Sequence, residues 1–282
     1  MVRSGIFARV GYEEEKMGTI MNKFRLAALG TAAVSVLCAA NAFAADTTKQ
    51  QGDEGWTITV APYLWASGIN GESGLFGFPP QDVDVSFSDV LQHLKFGFMG
   101  LTEARNGPFT ISTDIVYAKL DANIGTPKGI LASNIDATVS TFMGTALGGY
   151  SVYYQDGTNF DLVAGARLWS VDNRFEFNGG ALDGRSASDG DTWVDPVIGA
   201  KFKADVGSGI YLAGWGLVGG FGAGSKSMWD VMGGAGYQFN EKTSMFVGYR
   251  AVHDNYSHDG FVNKVTQQGP MLGFSYQFSV AR

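Results

Sequence analysis

Hydrophobic and polar residues alternate along most of the chain that follows residue 55. In the segments 160–168, 194–204 and 272–278, every second residue is apolar. A period of two is typical of β-strands whose two faces meet different environments. We count ten strand-length segments of this kind between Trp56 and Phe278. The pattern therefore predicts an all-β protein.

The connections between these segments alternate between short and long. The short ones lie at 106–108, 155–158, 207–209 and 240–242, and the longer ones at 67–94, 121–133, 172–191, 222–225 and 255–265. Short turns at one end and longer loops at the other are the arrangement of outer-membrane barrels. The spacing predicts a closed antiparallel up-and-down transmembrane β-barrel of about ten strands. Eight or twelve strands remain alternatives, since a single misplaced boundary changes the count.

Charged residues fall on the opposite parity to the apolar face of their strands. A Lys or Arg facing lipid at mid-bilayer costs about 2–4 kcal/mol, so this parity is what a lipid-facing exterior requires. Lys119 is an exception at a strand end, from which its amine can reach the interface. The parity predicts a lumen charge network of ten residues: Glu103, Arg105, Asp114, Asp136, Asp161, Arg167, Asp195, Lys201, Asp230 and Arg250.

Two Arg–Asp pairs are expected near the outer ends of neighbouring strands. Strand direction places Arg167 level with Asp195, and Arg250 level with Asp230, within reach of bidentate ion pairs. One interpretation is that the pairs neutralise charge in a narrow lumen that side chains fill. The other is a gate or selectivity ring for solutes.

The N-terminal region has the pattern of a secretory signal. Residues 21–44 combine a positive start at Met21-Asn-Lys, an apolar stretch and the small-residue site Ala42-Phe-Ala44. We expect residues 1–20 to be a spurious extension, 21–44 the signal peptide, 45–55 a periplasmic segment and 56–282 the barrel. The single cysteine, Cys38, lies within the signal, so no disulfide is expected.

Composition narrows the class of protein further. The chain contains 40 glycines in 282 residues, with 13% aromatic and 17% charged residues. Soluble domains average about 25% charge and about 7% glycine. Glycine with abundant aromatics favours sharply curved β-structure. The formal charge of −7 without a basic cluster is not the pattern of a nucleic-acid-binding protein.

Six segments carry a family resemblance: APYLW (61–65), VDVSFSDVL (83–91), DPVIG (195–199), GGFGAGS (219–225), GYR (248–250) and GPMLGFSYQF (269–278). Together they resemble a large, mostly uncharacterised family of proteobacterial outer-membrane β-barrel proteins. The last segment also resembles the aromatic C-terminal signal that the barrel-assembly machinery reads, although four residues follow Phe278. The resemblance implies an outer-membrane barrel of Gram-negative bacteria. We expect a monomer whose partners are outer-membrane lipid, lipopolysaccharide and that machinery. It implies no substrate.

The first long connection contains a predicted helix. Ser86-x-x-Asp89 has the spacing of a capping box, and Phe87, Val90, Leu91 and Leu94 share one helical face. Such a helix would lie across the barrel mouth or beside its rim. The two interpretations of this helix are a packed element and a moving lid.

An enzyme is the alternative from another class. Asp82 and Asp84 lie in the first long connection, and His253 and His258 lie at the start of the last one and within it. These two connections meet if the first and last strands are neighbours. Carboxylates with a His–Asp unit can activate water, and ten-stranded omptin proteases resemble this arrangement. However, omptins have an Asp two residues before the His, and neither His253 nor His258 has one.

No metal or cofactor motif is present, so neither a metal nor a cofactor is expected. We therefore expect a non-enzymatic barrel, with structural, surface-interaction or slow solute-passage roles, and an outer-membrane hydrolase as the alternative.

Overall fold

The computed structural model describes residues 55–126, 130–155 and 157–280. Within them lie twelve strands, one α-helix, α1 (Phe87–His93), and a 3-10 turn at Gly180–Leu182. The strands are β1 (Trp56–Trp65), β2 (Gly68–Gly74), β3 (Gln81–Val85), β4 (Leu94–Asn106), β5 (Phe109–Gly125), β6 (Asn134–Gln155), β7 (Thr158–Asn178), β8 (Arg185–Gly207), β9 (Ile210–Gly219), β10 (Ser227–Gln238), β11 (Thr243–His258) and β12 (Phe261–Val280). Residues 1–20, the expected signal peptide at 21–44 and most of the 45–55 segment lie outside the described residues.

Ten of the strands form a closed antiparallel barrel. β1 pairs with β4, the following strands pair in chain order through β12, and β12 pairs with β1 to close the wall. Trp56 lies opposite Val280, so both ends of the barrel chain lie at the end that carries the short turns. The predicted closed antiparallel barrel of about ten strands is confirmed.

Two further strands correct the prediction for the first long connection. Residues 67–94 form the β2–β3 hairpin and α1, not a loop with a helix alone. β12 pairs with β1 from Met271 onward and with β2 through Gln268. The change of partner falls at Gly269, where an added Cβ would lie 1.9 Å from the carbonyl oxygen of Ala66. Only glycine allows this approach of the two backbones.

Two other predicted long connections, 172–191 and 255–265, are mainly strand. β7 continues to Asn178 and β8 begins at Arg185, so the wall extends well beyond the apolar surface. The period of two continues there, with Val171 and Phe175 buried inside and Arg174 exposed outside. These strands keep an apolar inner face, but their outer face meets water. We call the part of the wall that projects beyond the apolar surface the extension.

An apolar belt surrounds the barrel below the extension. Its members are outward-facing, exposed hydrophobic side chains, including Ile111, Ile115, Leu162, Leu168, Val194, Ile198, Phe202, Leu212, Val231, Val247, Leu272 and Phe274. Such a surface is stable against lipid and unfavourable in water. Among the residues that the structure describes, no helix is long and apolar enough to cross a membrane.

Helix α1 packs against the inner side of the extension. Ser86 caps it in the predicted capping box with Asp89. Val90 is buried among β-strand side chains that include Val83 and Val85, whereas Leu91 is 47% exposed. The predicted apolar face is therefore buried only in part. The position of Val90 is that of a packed element.

Gly269→Ala is expected to lower the free energy of unfolding by about 1–3 kcal/mol, because the new methyl must displace the Ala66 backbone. Urea unfolding of the folded barrel in lipid vesicles measures the change. Gly233→Ala is the matched control, since a Cβ there meets nothing within 4 Å. Equal losses in the two variants would contradict the close approach at Gly269.

Candidate functional site

Arg250 lies at the centre of the lumen and is fully buried. Its Nη2 donates to Asp230 and to Asp114, each at 2.7 Å, and its Nη1 donates to the Tyr63 hydroxyl at 2.9 Å. The Tyr63 hydroxyl in turn donates to Asp114 at 2.6 Å. One guanidinium therefore joins strands β1, β5, β10 and β11 across the lumen.

Asp230 lies between two arginines. Besides Arg250, it accepts hydrogen bonds from Arg167 Nη2 at 2.5 Å and Trp215 Nε1 at 2.9 Å. Arg167 also donates from Nε to the Thr145 hydroxyl at 2.8 Å. We call this group the central layer; its members are Tyr63, Asp114, Thr145, Arg167, Trp215, Asp230 and Arg250.

The predicted ion pair between Arg167 and Asp195 is wrong, although the two residues are opposite each other in the β7–β8 ladder. Arg167 reaches across the lumen to Asp230 instead. Asp195 accepts hydrogen bonds from Trp169 Nε1 and from the backbone and side chain of Ser225. Neutral donors thus satisfy Asp195, and Arg167 is free to pair with the carboxylate between the two guanidinium groups.

A second layer of charges lies nearer the short-turn end. Arg105 forms a bidentate pair with Asp161, at 2.6 and 3.3 Å, and donates to Glu103 at 3.1 Å. Glu103 also accepts from Lys201 at 2.6 Å. These four residues, which we call the inner layer, connect β4, β7 and β8. Nine of the ten residues of the predicted network therefore point into the barrel.

Asp136 is the exception, because it lies on the outer face of β6. Its carboxylate accepts hydrogen bonds from Asn123 at 2.5 Å and Asn178 at 2.8 Å. Asp136 belongs to the extension, where the outer face meets water and a charge needs no place inside. The buried neighbours Ile135 and Ala137 occupy the inner face of that strand.

Little space remains between the two layers. Arg167, Asp230 and Arg250 are fully buried. The cavity between the layers has a volume of about 20 Å³, which is room for about one water molecule. The rings of Trp65 and Trp215 lie 5.0 and 5.2 Å from the Arg250 guanidinium and fill the remaining space beside it.

Tyr63, Trp65 and Trp215 are partners of these charges that the sequence pattern did not predict. A signal for the first two is present, because Tyr63 and Trp65 alternate with the apolar residues at 60, 62 and 64. Trp215 carries no such signal, since the residues at 211, 213 and 217 on its side of the strand are apolar or aromatic. It nevertheless points inward and donates to Asp230.

The residues suggested for an enzyme do not assemble. Asp84 and His253 both lie on the outer face, in one row that runs from His253 through Thr266 and Asn70 to Asp84. Three strand spacings separate them by about 14 Å. Asp82 lies farther along β3, and His258 contacts Asp191 at 3.1 Å at the end of β11. The two connections meet, as expected, through the ladder of β12 with β2, but they do not bring these four side chains together.

Comparison with known proteins identifies a fold. No family model and no curated protein matches the chain. The outer-membrane protease OmpT from Escherichia coli is 10% identical, with 82% of this chain and 99% of that chain covered and a TM-score of 0.52. Ail of Yersinia pestis is 13% identical, covering 80% and 99% of the two chains, at a TM-score of 0.35. The chain has the fold of outer-membrane β-barrel proteins.

Arg250→Met is expected to lower the free energy of unfolding by about 3–5 kcal/mol, because Asp114 and Asp230 would remain buried without this cation. Denaturant unfolding in lipid vesicles is the measurement. Arg174→Ala is the control, since Arg174 pairs with Glu176 on the exposed surface and should change stability by less than about 1 kcal/mol. A small loss for Arg250→Met would show that the central layer does not hold the barrel.

Proposed function

We propose that the protein is an integral outer-membrane barrel with a sealed lumen and a non-enzymatic, structural and surface-interaction role. The observation that carries this proposal is the pair of charged layers, which leave a cavity of only about 20 Å³. An open channel needs a continuous water-filled path, and barrels generally provide one at about 16 strands. A path for solutes through this lumen would require the central layer to separate.

The apolar belt supports a membrane location and suggests an orientation. In outer-membrane barrels the short turns face the periplasm and the longer segments face outward. The extension would then project from the cell surface, while the belt contacts lipid. Lipopolysaccharide would surround the polar outer face immediately above the belt. The aromatic β12 is the segment we propose for recognition by the barrel-assembly machinery.

The end of the extension supports a role in contacts with other molecules. The β2–β3 turn is tied to the β11–β12 turn by a hydrogen bond from Gly77 N to Gly260 O. Phe78 of the β2–β3 turn is 52% exposed, and Ile130 of the β5–β6 connection, whose carbonyl accepts from Ala181 N at 3.1 Å, is 69% exposed. Exposed apolar side chains on a hydrogen-bonded frame are suited to binding another surface.

The alternative, an outer-membrane hydrolase, has less support. The similarity to OmpT is one of fold, at 10% identity. The four residues suggested for catalysis lie on the outer face or at a strand end, in separate places. A proton-abstracting pair needs hydrogen-bond distance between its members, which this arrangement does not give.

Purified wild-type protein in planar lipid bilayers is expected to show no conductance steps. A combined Arg167→Ala and Arg250→Ala variant should conduct, because it removes both guanidinium groups of the central layer. A boiled-versus-unboiled gel shift would first establish that the variant is folded. Arg174→Ala serves as the control and should stay closed. Steady conductance by the wild-type protein would refute the sealed lumen.

A further inference from the structure

The extension contains a seam between β8 and β11. β9 and β10 are short, and their last pairs are Val197 with Gly219 and Ser227 with Asn255. Beyond this level, residues 185–196 of β8 show ladder pairing with β7 only, among the residues that the structure describes. The wall above the β9–β10 connection is therefore not closed by backbone hydrogen bonds.

Side chains close the seam instead. The rings of Trp193 on β8 and Tyr256 on β11 stack, with centroids 3.9 Å apart and planes 4° from parallel. The Tyr256 hydroxyl donates to Asp191 at 2.7 Å. Beneath the stack, Ser225 of the β9–β10 connection lies between the carboxyl groups of Asp195 and Asp254. We call Asp195, Ser225 and Asp254 the latch.

The contacts of Ser225 require an additional proton. Its hydroxyl accepts a hydrogen bond from Trp193 Nε1 at 2.8 Å and lies within hydrogen-bond distance of both Asp195 and Asp254. A serine hydroxyl has one hydrogen and can donate to only one of two carboxylates. The other carboxyl must therefore be protonated and donate to the serine oxygen.

Asp254 is the carboxyl that carries this proton. Asp195 accepts from Ser225 N at 2.6 Å, from Ser225 Oγ at 2.7 Å and from Trp169 Nε1 at 3.1 Å, which satisfies a carboxylate anion. Asp254 accepts only one further hydrogen bond among those described, from Asn263 Nδ2 at 3.0 Å. All three latch residues are buried. Protonation of Asp254 removes the cost of two anions sharing one hydroxyl.

We propose that the latch is a proton-controlled closure of the seam, held shut while Asp254 is a neutral carboxylic acid and released when the proton leaves to solvent. Loss of the proton puts an anion beside Asp195 with a single O–H between them. The resulting repulsion favours separation of β11 from β8 and exposure of Trp193. The seam would then open sideways from the upper edge of the apolar belt into the extension.

The charged and polar groups around Asp254 agree with this assignment. They are Asp195 and Asp191 from β8, Arg167 from β7, Ser225 from the β9–β10 connection, Asn263 from β12, and Tyr256 from its own strand. Arg167 is engaged by Asp230. Burial, helped by the charge of Asp195, raises the pKa of Asp254 to about 7, although the hydrogen bonds with Ser225 and Asn263 and the charge of Arg167 act to lower it.

The direction of the pH effect follows from this raised pKa. An exposed Asp has a pKa near 3.9, so the closed state binds one more proton than the open state between about pH 4 and 7. Closure therefore weakens as pH rises through that range, and the effect levels off above pH 7. Opening should become about tenfold more favourable for each pH unit within the window.

Hydrogen exchange of the folded protein in lipid vesicles tests this expectation. In peptides covering 220–226 and 251–258, protection factors should fall about tenfold per unit between pH 5 and 7, after correction for intrinsic exchange. Asp254→Asn should abolish this dependence, because its amide N–H donates to Ser225 as the acid does. Peptides from 143–150, distant from the seam, report whether the barrel is intact.

Asp195→Asn is the matched comparison. Its amide would face the donors of Ser225 and Trp169, so it should reduce protection at every pH. The slope should persist over a narrower pH range, because burial of Asp254 remains while the neighbouring anion is gone. A wild-type protein without the slope, or an Asp254→Asn variant that keeps it, would overturn the proposal. A slope lost in Asp195→Asn and kept in Asp254→Asn would place the proton on Asp195, and the assignment would be wrong.

Discussion

The barrel depends on the contact between Arg250 and Asp230, because the membrane restricts where each strand of the wall can place its polar side chains. A strand that faces lipid has only its inner face for polar side chains, and ten strands leave little space inside. A charge in that space must find a partner, because an unpaired buried charge destabilises a fold by several kcal/mol. Arg250 meets two carboxylates and the Tyr63 hydroxyl, and thereby fixes β1, β5, β10 and β11 relative to one another. The close packing of the central layer follows from this mutual neutralisation.

Much of the barrel could be predicted because the period of two and the turn residues are local properties of the chain. The closed wall, the ten membrane strands and the inward direction of most charges follow from them. The partner of Arg167 could not be predicted in the same way. Ladder position brings Arg167 opposite Asp195, but contacts across a lumen depend on barrel radius and strand tilt. These quantities are set by the whole wall, and no short segment encodes them.

The extension shows a second limit of reading the sequence. Segments such as 172–178 are polar at every outward position, so they were interpreted as loops, although Phe175 and Val171 mark a continuing inner face. Asp136 is predicted to face the lumen for a related reason, because the parity rule places every charged residue of a strand inside the barrel. That rule holds only where the outer face of the strand contacts lipid. Above the belt both faces accept polar residues, and only the buried apolar positions keep the pattern.

The change of partner along β12 has a consequence for how the barrel assembles. β2 follows β1 early in the chain, yet its neighbour in the wall is the outer half of β12, the last strand to be made. Pairs such as Ile69 with Gln267 join residues from nearly opposite ends of the barrel sequence. The β2–β3 hairpin therefore joins the ladder of the wall only when β12 is in place, so this pairing accompanies closure of the barrel. Contacts of such wide sequence separation form slowly, and the pairing of the hairpin with β12 is expected to be a late step of assembly.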